Sequence, residues 1–333
     1  MKRGLEKLLL APLTAIFLYS SSCSLYTLPE PTEPIKQSYV KESKEFGKTE
    51  NMLEYMVKEH GLNTERIVDK NGINYNIYTT YATRQIMEKE QFDANRKKFD
   101  KEKFMAFTGN SFIEGIDHYT KNYPTPIKIV HIVLGDFGKT RNENSTMTVR
   151  NTSIIIADAR RWHKYWSYDN GLMAKVIAVH EFTHVQNYSL DSDETSPGKE
   201  YAAATVECLA YIHFSSQDVF RKTYRGRMIG IVPMPDAIKY NQPNNRVKRS
   251  VIRNLFLGTL DGKYAVKEKD KVVALKNLAS SALKEPTNGE EGFNLAMKAA
   301  GFTYDKKPLT LKILRDETEK EIIEWYAKRG IKP

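Results

Sequence analysis

Apolar positions along this chain repeat with two periods, and the switch between them sets out the elements. Near the middle, PIKIVHIVLG and TSIIIAD are short apolar runs rich in β-branched residues, which predicts two strands. After a loop, AKVIAVHEFTHVQNYSL reads as one amphipathic helix. Upstream, a helix is expected near residues 48 to 60. A hairpin carried by RIVDKNGINYNIYTTY follows, turning at Asn71 and Gly72. One or two helices then run from Arg84 to Asn122 and stop before Pro124 and Pro126. Downstream, DSDETSPG has loop composition, with Ser196 as N-cap and Pro197 at the first helical position of a helix continuing through KEYAAATVECLAYIHF. From about residue 224 the pattern is mixed and mostly helical, clearest in NLASSALKE, GFNLAMKAAG and ETEKEIIEWYAKRG.

The amino terminus follows neither period. Lys2, Arg3 and Lys7 precede an apolar stretch from Leu8 to Tyr19, too short to span a bilayer, and this reads as an export signal. Ser20, Ser21 and Ser22 then lead to Cys23, a small-residue approach to a Cys that resembles the lipobox of bacterial lipoproteins, in which that Cys is lipidated. SLYTLPEPTEPIKQSYVKESKEFGKTE, poor in apolar residues, suits a flexible tether. The expected organisation is a signal over residues 1–22, a tether over 23–46, a body of strands and helices over 47–222 and a mostly helical lobe over 223–333.

Charge and cysteine usage agree with export. The formal charge is +10, and a basic exported protein meets anionic lipid and acidic substrates rather than nucleic acid. The basic runs NRKKFDKEK and NRVKRSVIRN are read as solvated helix faces. Cys23 and Cys208 are the only cysteines, so lipidation of the first leaves no internal disulfide, and Cys208 is read as a packed core thiol. Two short motifs are set aside. GDFGKT lacks the first Gly of a phosphate-binding loop, and SALK lacks the companions of a serine acyl-transferase site.

The chemistry centres on His180, Glu181 and His184. Positions four apart share a helix face, so His180 and His184 can present two imidazoles to one metal ion. Glu181 is turned from them by about 100 degrees, outside the ligand set but within reach of a water, where it can act as a base.

This HExxH helix behind two strands resembles the zincin metallopeptidases, and within them the gluzincins, in which a Glu on a later helix completes the zinc site. The longer metzincin motif does not fit, since its Gly and third His positions hold Asn187 and Leu190. The resemblance implies an α+β fold with a zincin-like catalytic core over residues 47–222, a zinc cofactor, and Glu181 as the proton carrier in peptide hydrolysis. It also gives TSIIIAD the place of the substrate-binding edge strand, with ARRWHKYWSY bordering the cleft. Glu200 and Glu207 compete as third ligand. Folding the two helices back about residue 194 sets Glu207 level with the histidines, beside the small residues Ala203, Ala204 and Ala210, and leaves Glu200 by the loop. Glu207 is therefore the expected ligand. Tyr211, His213, Arg225 and Tyr240 are candidate oxyanion donors.

The reading is an exported, lipid-anchored zinc metallopeptidase of the cell envelope acting on a peptide or protein substrate. The alternative is a non-catalytic envelope lipoprotein, with a binding or assembly role, whose metal site is structural or vestigial.

Overall fold

In a computed structural model of the chain, the residues described are 49–93, 101–135, 146–149, 152–158, 171–190, 197–225, 245–284 and 289–328. The signal, Cys23, the tether, the aromatic stretch 159–168 and the loop 191–196 lie outside them. The fold is α+β and mostly helical. Two compact units separate between Ser192 and Asp193, ahead of the helix that carries Glu200 and Glu207. No helix among the described residues is long and apolar enough to cross a membrane.

The first unit is built on a five-stranded mixed sheet. Helix α1 (Thr49–His60) leads into the hairpin β1 (Asn63–Lys70) and β2 (Ile73–Thr79). Asn71 and Gly72 close it with φ of 55° and 75°, the left-handed pair that matches the twist of a two-residue hairpin. Helices α2 (Tyr81–Asp93) and α3 (Lys101–Asn122) come next, then β3 (Ile129–Gly135), β4 (Thr146–Thr148), β5 (Ile154–Asp158) and helix α4 (Leu172–Leu190). The strand order is β1-β2-β3-β5-β4, with β2, β3 and β5 parallel and the two outer strands antiparallel to their neighbours.

This order corrects one expectation. TSIIIAD does not form the edge of the sheet: β5 is paired on both sides, and the edge is the three-residue β4. Burial of every β5 residue is the physical reason, since a strand covered on both faces carries an unbroken apolar run.

Register and pleat then set the faces. Ile154 and Ile156 join Val133, Met52 and Met56 in a cluster under α1. Alternation turns Ile155 to the other face, in one cross-strand row that runs Ile77, Ile132, Ile155, Thr148. Gly109 of α3 lies over this row, where an added Cβ would come 2.6 Å from Ile77 Cδ1. The row is apolar from β2 to β5, and its two ends hold Arg66 on β1 and Thr148 on β4.

The second unit is helical, with α5 (Pro197–Phe214), α6 (Gln217–Arg225), α7 (Asn245–Asp261), α8 (Lys271–Lys284), α9 (Gly289–Ala299) and α10 (Leu311–Lys328). A small hairpin of β6 (Thr303–Tyr304) and β7 (Lys307–Pro308) precedes α10. Helix α5 is its centre, packed by α7, α8 and α9 and buried at every residue from Lys199 to Tyr211.

Candidate metal centre

The histidines sit on α4, and α3 holds that helix in place. Lys175 pairs with Glu114 at 2.6 Å, the Tyr119 and Phe182 rings meet edge to face at 5.1 Å, and Gln186 Nε2 donates to the Pro124 carbonyl at 2.9 Å. Gly115 allows the close approach, because a Cβ there would run into the Lys175 carbonyl oxygen and stand 3.0 Å from Ala178 Cβ. The expected amphipathic character of α4 is absent: every residue from Val176 to Asn187 is buried. A helix apolar nearly all round is an interior helix, and the polar residues it does carry then stand out.

His180 and His184 are 0% and 5% exposed, and their Nε2 atoms approach to 3.1 Å. Two nitrogens each about 2.0–2.1 Å from one zinc in tetrahedral geometry lie about 3.3 Å apart, so the pair converges as two ligands of one ion would. His180, His184 and Glu200, all three buried, are a group that could hold a metal ion. Two imidazoles and a carboxylate are a donor set that zinc accepts.

Glu207, the ligand expected from the helix register, is not in that group. Its carboxylate is engaged inside the helical unit: Arg253 Nη2 donates to Oε1 at 3.1 Å, and Arg249 Nε lies 3.6 Å from Oε2. Arg249 Nε also donates to Glu200 Oε1 at 3.1 Å. Both arginines are buried, at 3% and 1% exposure, which corrects the reading of NRVKRSVIRN as a solvated face. Four residues apart, they lie along one stripe of α7, while the two glutamates lie two turns apart along one stripe of α5. A buried carboxylate is tolerated when a cation meets it, and the sequence signal for Glu207 fits an arginine as well as a metal.

Glu181, buried beside the pair, is met from the sheet. Thr148 Oγ1 lies 2.8 Å from Glu181 Oε2 and 2.9 Å from the Glu181 backbone oxygen. Sequence reasoning missed Thr148 because a three-residue strand carries no readable alternation. Asn187, one turn beyond His184 on the same face, is fully buried, and its amide finds no hydrogen-bond partner among the described residues.

The remaining candidates divide. The Tyr211 hydroxyl donates to Thr223 Oγ1 at 3.3 Å within the helical unit, and burial, aided by Lys276, lowers the His213 pKa. The Arg225 side chain and Tyr240 lie outside the described residues. Cys208 is buried, and burial with the neighbouring Glu207 holds its thiol well above the usual range, as expected of a packed, unreactive side chain. No known family model, curated protein or solved structure matches the chain.

Proposed function

We propose that this protein is a zinc-dependent metallopeptidase with a zincin-like core. The observation that carries the reading is the convergence of the His180 and His184 Nε2 atoms, 3.1 Å apart on a buried helix, with Glu181 next to them in sequence. A mixed sheet whose short antiparallel edge strand touches that helix through Thr148 supports it. His180 and His184 would hold the ion, with Glu200 as the third ligand. Zinc, when bound, supplies a Lewis acid that brings the pKa of a water toward about 7 and polarises a carbonyl.

The chain's own residues do the rest. Glu181 accepts the proton of the attacking water and returns it to the departing amine. Burial around His180 and Glu181 excludes bulk water and strengthens each of these interactions. We further propose that the signal directs export and that acylated Cys23 tethers the body to the cell envelope. Peptide or protein chains are the substrate class, and nucleic acid is not a partner.

Metal analysis of the purified soluble body tests the proposal. One tightly held zinc per chain is expected, lost in His180→Ala and His184→Ala. A body that takes up no zinc under these conditions would instead favour the binding or assembly lipoprotein.

A further inference from the structure

We infer that Thr148 is a positioning residue for Glu181, an inference that rests on the peptidase reading for its catalytic consequence but not for its geometry. Thr148 ends the row Ile77, Ile132, Ile155, Thr148, and register with Ile155 turns its side chain to the face that carries α3 and α4. Its Oγ1 then meets both the carboxylate oxygen Oε2, at 2.8 Å, and the backbone oxygen of Glu181, at 2.9 Å. One hydroxyl thereby ties the edge strand to the helix and to the side chain of one residue on it.

A hydroxyl has one hydrogen and two lone pairs. Facing two acceptors, it reaches the carboxylate oxygen Oε2 and the backbone oxygen of the same residue together, which fixes Oε2 and sets the plane of the carboxylate.

Glu is a flexible side chain with three rotatable bonds, and a base misplaced by an ångström loses much of its effect.

The test compares Thr148→Val, which keeps the shape and removes the hydroxyl, with Thr148→Ser, which keeps the hydroxyl. Crystal structures of the zinc-loaded wild type and both variants read the Glu181 carboxylate directly, beside zinc content, kcat and KM on a fluorogenic peptide. Expected in Thr148→Val are unchanged zinc, a carboxylate displaced from its wild-type position, kcat lower by about 10- to 100-fold and little change in KM. Thr148→Ser should restore both position and turnover. A carboxylate that keeps its place in Thr148→Val, or a serine variant as slow as the valine one, overturns the inference. Where valine disturbs folding, Thr148→Ala makes the same comparison. A wild type that cleaves no peptide removes the peptidase reading, while the carboxylate position in the variants still decides the role of Thr148.

Discussion

The shared face of His180 and His184 was legible from spacing alone, because positions four apart on a helix share a face in any fold that keeps the helix. The carboxylate grouped with them was not. Glu200 and Glu207 lie seven residues apart on one stripe of α5, and arginines of α7, some forty to fifty residues further along the chain, meet both of them, Arg249 at Glu200 and Arg253 at Glu207. No local pattern announces that pairing; Arg249 and Arg253 look like surface residues until α7 is packed. The account expects Glu200→Ala to lose zinc on dialysis. Glu207→Ala should keep the metal but lower stability by roughly 3–5 kcal/mol, the usual result of stripping a buried cation of its partner. Zinc analysis and urea unfolding of the two variants check this, and retention of zinc by Glu200→Ala with loss from Glu207→Ala would return the ligand role to Glu207.

At the scale of elements, α4 is set by what packs on it. Gly115 lets α3 approach until a methyl group would meet the Lys175 carbonyl oxygen, so Gly115→Ala must push the two helices apart. Overpacking of this kind costs about 1–3 kcal/mol, and thermal unfolding should show it, together with weaker zinc retention because the displaced helix carries both histidines. A variant as stable as wild type would show that α3 does not fix α4. The hairpin, the strands β3 and β5 and most helices were readable because each carries its own period and breakers, as Asn71–Gly72 and Pro197 do. The edge of the sheet was misread for an instructive reason. An unbroken run such as IIIAD marks a strand covered on both faces, whereas the real edge, TMT, is too short to show any alternation. Strand pairing is a tertiary fact, and Thr148 became visible only with it.

At the scale of the whole chain, the mixed-sheet unit carries His180, Glu181 and His184, and the helical unit anchors its glutamates with its own arginines. The proposed envelope location rests on the amino-terminal residues, outside those described. No helix among the described residues is long and apolar enough to cross a membrane. Cys23→Ser should therefore move the protein from the membrane to the soluble fraction in cell fractionation, and membrane retention of that variant, its signal removed, would contradict acylation at Cys23. The central claim is that Glu181 moves protons for a zinc-assisted hydrolysis and does not itself hold the ion. Its most direct test is turnover of a cleavable peptide by wild type and Glu181→Gln at equal zinc content. The account predicts hydrolysis by the wild type and a loss of at least about a hundredfold in the variant, with zinc still bound; equal turnover by the two proteins would contradict it.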